Sequence, residues 1–180
     1  MSGVAPEGSP ATAANYIPGM NANRAKLVEE INYVNQQCPY SPIVLAGYSQ
    51  GADVVLTALT VMPNQPNITS AARANIKAVP VFGDPTFLPN KGYNDVYAGT
   101  GLGVNPRLNT ADLDAMKYWG WPQGATTQQG WVYKIRSYCK SYDYFCQSNP
   151  TNNGMLIHGT YSVTMASAVS WVQFMLTSWD

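Results

Sequence analysis

From Asn21 to residue 37 the apolar side chains Leu27, Val28, Ile31 and Val34 return at helical spacing. Asn21 stands where a helix cap belongs, and Pro39 and Pro42 close the segment. Ile43-Val44-Leu45-Ala46 follows, a short and wholly apolar run of the kind that forms a strand buried on both faces. Residues 52–59 predict a second helix, and residues 76–82 a second buried strand that ends in Gly83-Asp84-Pro85. Residues 84–130 read as irregular and Gly-rich, apart from a short helix near residues 111–118. Residues 131–138 predict a third strand. Residues 161–179 form a closing amphipathic helix, with Val163, Ala166, Val169, Val172, Phe174 and Leu176 as its apolar positions. Residues 1–20, rich in Gly, Ala, Pro and Ser, show no period and are expected to be irregular. Strands alternating with helices imply an α/β fold, a parallel sheet with helices on both faces. With no repeat or low-complexity linker, residues 1–180 read as one domain.

Composition narrows the function. Formal net charge is zero and only 11% of residues are charged, against about 25% in ordinary domains. Without a basic stripe for phosphates, nucleic acid is excluded as an expected partner. A neutral surface rich in Asn, Ser, Thr, Gln, Gly and Tyr suits uncharged material such as polysaccharide, polyester or lipid. No apolar stretch approaches the roughly 20 residues of a membrane span, and no signal peptide is visible after Met1. Cys38, Cys139 and Cys146 are the three cysteines, so at least one of them has no partner within the chain. The sequon Asn67-Ile68-Thr69 is a glycan acceptor pattern of the kind that also arises by chance.

Gly47-Tyr48-Ser49-Gln50-Gly51 fits Gly-x-Ser-x-Gly, the nucleophile elbow in which a sharp turn lifts a serine hydroxyl above an α/β-hydrolase sheet. An apolar strand runs straight in and a helical pattern straight out. The glycines are expected because a side chain at either site would collide with the neighbouring strand or helix. A serine nucleophile needs a base, and the chain holds a single histidine, His158, in a loop before the final helix. The acid must lie between them: Asp84, Asp95, Asp112, Asp114 and Asp143 all qualify by chain order. Asp112 and Asp114 read as solvated charges on a surface helix, and Gly83-Asp84-Pro85 as a structural turn. Asp143 lies past the third strand between Cys139 and Cys146. A disulfide there would close a tight loop and hold its carboxylate still. Asp143 is the acid of choice.

Gln37-Cys38-Pro39 with the run from Ile43 through Ala52 resembles the elbow region of cutinases and fungal acetylxylan esterases. Val81-Phe82-Gly83-Asp84-Pro85 is similar to the strand that follows in those enzymes, and Lys134-Ile135-Arg136-Ser137-Tyr138-Cys139 leads into a similar acid loop, Cys-x3-Asp-x2-Cys. The resemblance covers roughly residues 22–180 and is nearest the acetylxylan esterase branch. It implies a small, lidless α/β hydrolase that cleaves carboxylic esters and needs neither cofactor nor metal. Ser49 would be the nucleophile, His158 the base and Asp143 the acid. The backbone N–H of Gln50 would be one oxyanion donor, and Cys139 would pair with Cys146. The expected partner is an ester substrate: acetylated polysaccharide first, cutin-like polyester close behind. The alternatives are a lipid ester of an actinobacterial envelope, as for phage relatives, or a catalytically silent binding module on this scaffold. A secreted monomer is expected.

The resemblance also implies features this sequence departs from. Members begin with a further strand whose loop brings a second oxyanion donor, and nothing in residues 1–21 looks like it. Cys38 resembles a cysteine whose partner lies in that region. The expectation is a truncated or atypical member with an exposed sheet edge prone to aggregation. The segment 84–130, with Trp119 and Trp121, is expected to shape a substrate groove or to be a plain surface loop.

Overall fold

The computed structural model describes residues 10–120, 130–149 and 151–178. Its elements, in chain order, are α1 (Pro10–Gln37), β1 (Ile43–Val44), β2 (Gly47–Tyr48), α2 (Gln50–Leu59), α3 (Ser70–Asn75), β3 (Ile76–Phe82), α4 (Ala111–Asp114), β4 (Lys117–Gly120), β5 (Gly130–Tyr133), β6 (Ile135–Tyr138), α5 (Asn152–His158), a 3₁₀ turn (Tyr161–Thr164) and α6 (Met165–Thr177).

β3 is the central strand, and its apolar sequence follows from that position. β1 and β2 pair with it in parallel along one edge, and β6 along the other. Val44 lies against Ala78 and Gly47 against Val81, so β1 and β2 are two ends of one strand on the same register. Asn94 extends the far side by bridging to Ser137. On one face Val79, Val81 and Ile135 pack with Val28 and Ile31 of α1 and Val55, Leu56 and Leu59 of α2. On the other, Ala78 meets Trp171 and Met175 of α6, while Phe82 and Tyr138 meet Tyr161 and Ala168. A parallel sheet covered on both faces by helices is the α/β architecture expected from the alternation. Among the described residues the β1–β2 strand has no neighbour on its outer side, where Val44 and Tyr48 are exposed.

Four expectations change. α1 starts at Pro10 rather than Asn21, so part of the segment read as irregular is helical. The helix expected over 111–118 stops at Asp114, and Lys117–Gly120 is a strand antiparallel to β5. The single strand expected over 131–138 breaks at Lys134, whose N–H donates to Met116 while its carbonyl accepts from Val79. The chain changes partner there, from β4 to β3. The closing helix begins with a 3₁₀ turn and becomes α-helical only at Met165. Of the two tryptophans expected to shape a groove, Trp121 lies outside the described residues; the backbone of Trp119 pairs with Trp131.

Arg24, almost fully buried, donates to the carbonyls of Thr57, Thr60 and Pro66 and to Asn67 Oδ1. Its charge thus satisfies the carbonyls at the C-terminal end of α2. Asn67 Oδ1 also accepts from Met62, and Nδ2 donates to Met62 and Gln65. The sequon's amide is therefore fully used within the protein.

Candidate active site

Ser49 occupies the N-cap position of α2, where serine usually hydrogen-bonds the first turn. Its side chain makes no such bond. With φ 54° and ψ −125° the backbone sits in a region a non-glycine residue rarely visits, and the hydroxyl turns away from the helix. The turn is held by Ser49 N–H donating to Phe82 O at 2.8 Å and by Ala52 N–H donating to Ser49 O at 2.9 Å. Gly47 is required: a Cβ there would lie 2.6 Å from Gly51 O and 2.7 Å from Ala52 Cα. Gly51 differs from expectation, because a Cβ there would meet nothing within 4 Å.

Ser49 Oγ lies 2.9 Å from His158 Nε2, and His158 Nδ1 lies 2.9 Å from Asp143 Oδ2. The three side chains chosen from the sequence therefore form one hydrogen-bonded series, although 109 residues separate the first from the last. His158 ends α5, a short helix capped by Thr151, rather than lying in a plain loop.

Asp143 is fully buried and receives four donors, one for each lone-pair site of a carboxylate. Oδ1 accepts the N–H groups of Phe145 at 2.7 Å and Cys146 at 2.9 Å; Oδ2 accepts His158 Nδ1 and, at 3.0 Å, the Tyr161 hydroxyl. Burial alone would raise its pKa, but the bonds from His158, Cys146 and Phe145 outweigh it, and the group stays below the usual carboxylate range. Nδ1 must then carry the proton, which leaves Nε2 of the neutral ring to accept the serine hydroxyl. A disulfide joins Cys139 to Cys146 and closes the loop around the acid. Cys38 is free and exposed.

Four residues of the site were not singled out in the sequence. Tyr48 stacks on the imidazole, centroids 5.0 Å apart, and its hydroxyl donates to His158 O at 2.8 Å. Phe145 meets the ring edge-on at 4.5 Å. Tyr161 holds the acid, and both burial and the neighbouring Asp143 charge raise its own pKa. Gly83, at φ 59°, supplies the floor: a Cβ would lie 2.7 Å from His158 Cε1. The readable signals were the Tyr inside the elbow and the Gly before Asp84.

The other carboxylates are employed elsewhere. Asp112 accepts from Val61 N–H, Asp114 pairs with Lys91 at 3.0 Å, and Asp95 accepts from Tyr97 N–H. Asp84 is buried with Thr86, beside Arg107, which pairs with Asp53 at 2.8 Å. Burial and the Asp53 charge push its pKa up to about 6 against the opposing pull of Arg107 and Thr86.

A cutinase family model matches residues 2–176. This chain belongs to the cutinase family. It is 36% identical over 78 residues to a cutinase of Hypocrea jecorina, a match covering 43% of this chain and 29% of the relative. It is 30% identical over 141 residues to acetylxylan esterase 2 of Talaromyces purpureogenus, covering 74% and 53%. The chain thus spans from about a third to about half the length of these relatives. A solved acetylxylan esterase superposes with a TM-score of 0.67 at 28% identity, covering 89% of this chain and 72% of that one. The fold is accordingly that of the cutinase-type α/β hydrolases.

Proposed function

We propose that this protein is a serine esterase that hydrolyses carboxylic esters through an acyl-enzyme. The observation that carries the reading is the series Ser49–His158–Asp143, joined by two 2.9 Å contacts on a turn whose backbone directs the serine hydroxyl at the imidazole. His158 Nε2 takes the proton as Ser49 Oγ attacks the ester carbonyl, and returns it to the departing alcohol. Water then enters by the same route, attacks the acyl group and releases the acid. Asp143 holds the tautomer and steadies the imidazolium. The Gln50 N–H, first in α2, has no carbonyl behind it in the helix and would be one donor to the developing oxyanion.

The named activities of the relatives favour a small acyl group on polysaccharide as substrate, with cutin-like polyester second. The enzyme acts as a secreted monomer. Among the described residues no helix is long and apolar enough to cross a membrane.

Hydrolysis of p-nitrophenyl acetate, butyrate and palmitate tests both parts. The acetate should be preferred, and Ser49→Ala should lower turnover by several orders of magnitude. Unchanged hydrolysis by Ser49→Ala would remove the serine from the mechanism. Failure of Ser49 to react with an organophosphate would make the chain a silent binding module.

A further inference from the structure

The loop that carries the catalytic acid has a second face. Asp143 points inward and is fully buried, whereas Tyr142, its neighbour, is 71% exposed. Beside Tyr142 opens a pocket of about 420 Å³ lined by Thr100, Ser141, Tyr142, Gln147, Ser148 and Asn149. None of these residues is charged.

The walls are fixed. Gln147 Oε1 accepts from Gly101 N–H at 2.7 Å, and Nε2 donates to Cys146 O at 3.0 Å. Ser148 Oγ donates to Leu102 O at 2.8 Å, and Asn149 Nδ2 donates to Tyr142 O at 2.9 Å. Thr100, Ser141 and Tyr142 add hydroxyl-bearing side chains to the lining. Two of the lining residues, Tyr142 at φ 67° and Ser148 at φ 49°, hold left-handed backbone that glycine or asparagine would adopt more easily. Such conformations gather at ligand clamps. Here the effect is to stand an aromatic ring at the mouth of a polar, uncharged pocket.

We infer that this pocket is a subsite for an uncharged polysaccharide, with Tyr142 stacked on the C–H face of one sugar ring. The inference rests on the esterase reading and names its substrate class. An anion would call for Arg or Lys in the walls, and an acyl chain for apolar ones. Hydroxyls and amides around an exposed aromatic ring match instead a pyranose, which has equatorial hydroxyls at its edge and an apolar face. One peptide unit separates Tyr142 from Asp143, so a chain seated here lies against the loop that carries the partner of His158.

The test uses two variants. Tyr142→Asn removes the ring and tolerates the left-handed backbone; Tyr142→Phe keeps the ring. The ratio of kcat/KM on acetylated xylan to that on p-nitrophenyl acetate should fall about tenfold in Tyr142→Asn, mainly through KM, and stay within about threefold in Tyr142→Phe. In Ser49→Ala protein, xylohexaose should shift the backbone amide resonances of residues 141–149, and Tyr142→Asn should abolish those shifts. An equal loss on both substrates would make the role structural and overturn the subsite. So would resonances that ignore xylohexaose or move instead with monoacylglycerol micelles. Shifts with xylohexaose in a protein that hydrolyses no ester would keep the subsite and refute the esterase.

Discussion

The Tyr161 hydroxyl donates to Asp143 Oδ2 at 3.0 Å, sharing that oxygen with His158 Nδ1. The same hydroxyl accepts the N–H of Lys140 at 2.9 Å. One phenol therefore ties the start of the Cys139–Cys146 loop to Asp143, and it sits at the head of the helix that follows His158.

Tyr161→Phe removes both bonds and leaves the buried Oδ2 short of a donor. Stability should fall by about 1–2 kcal/mol. Turnover should fall about tenfold as the carboxylate loses part of its orientation. Urea unfolding and steady-state ester hydrolysis measure the two effects. A variant as active as the parent would show that His158 and the loop N–H groups suffice.

Gly83→Ala places a methyl group against the imidazole and forces alanine to φ 59°. A displacement of the ring by about 1 Å should cost roughly a hundredfold in kcat. Gly51→Ala is the contrast, since its Cβ enters open space within α2. That change should add about 0.5–1 kcal/mol of helix stability. Circular dichroism and initial rates on both variants would decide; a fully active Gly83→Ala would mean the imidazole does not need its floor.

Asp84 is protonated more readily in the folded chain than in the unfolded one, with its pKa raised to about 6 from 3.8. Between about pH 4 and 6 the folded state therefore binds the extra proton, and this group lowers stability as pH rises. The full swing is about 3 kcal/mol at most. Asp143 works in the opposite sense, losing its contribution only below the usual carboxylate range. Asp84→Asn should remove the first slope, so its stability relative to the parent should grow from pH 4 to 7. Urea unfolding at several pH values measures this; a constant difference would show that Asp84 does not titrate in that window.

The disulfide closes a short ring, with Cys139 and Cys146 seven positions apart. Opening it should cost about 2–3 kcal/mol by chain entropy. Activity should fall further than stability, because Phe145 and Cys146 supply two of the four bonds to Asp143. Thermal melts and rates with and without reductant would show it, and Cys38, free and exposed, should be replaceable by Ser without effect. Equal activity in the reduced protein would mean that hydrogen bonds alone hold the loop.

Much of this was readable because its causes are local. The apolar run from Ile43 and the elbow glycines announce a strand, a turn and a helix within one short stretch, and Ile76–Phe82 is apolar at every position but Lys77 because helices cover both its faces. Features set by distant partners were not readable. The break at Lys134 reflects a switch of pairing from β4 to β3, and a choice of pairing partner leaves no mark in the residues from Trp131 to Tyr138. Pro18 and Gly19 concealed the first part of α1, since both residues argue against a helix interior. Within the site, the one histidine and the cysteine-flanked aspartate stood out by rarity and spacing. Tyr161 did not, because three residues after His158 it reads as the first apolar position of a helix.

The backbone of Ser49 has a consequence for evolution under heat. A residue held at φ 54° and ψ −125° keeps the folded state about 1–3 kcal/mol less stable than a relaxed turn would. Ser49→Gly would release that tension, yielding a hardier protein with no hydroxyl to offer. Selection for thermal tolerance alone would thus drift toward erasing the proposed nucleophile, and a serine retained in heat-adapted descendants would be a record that its hydroxyl was still in use.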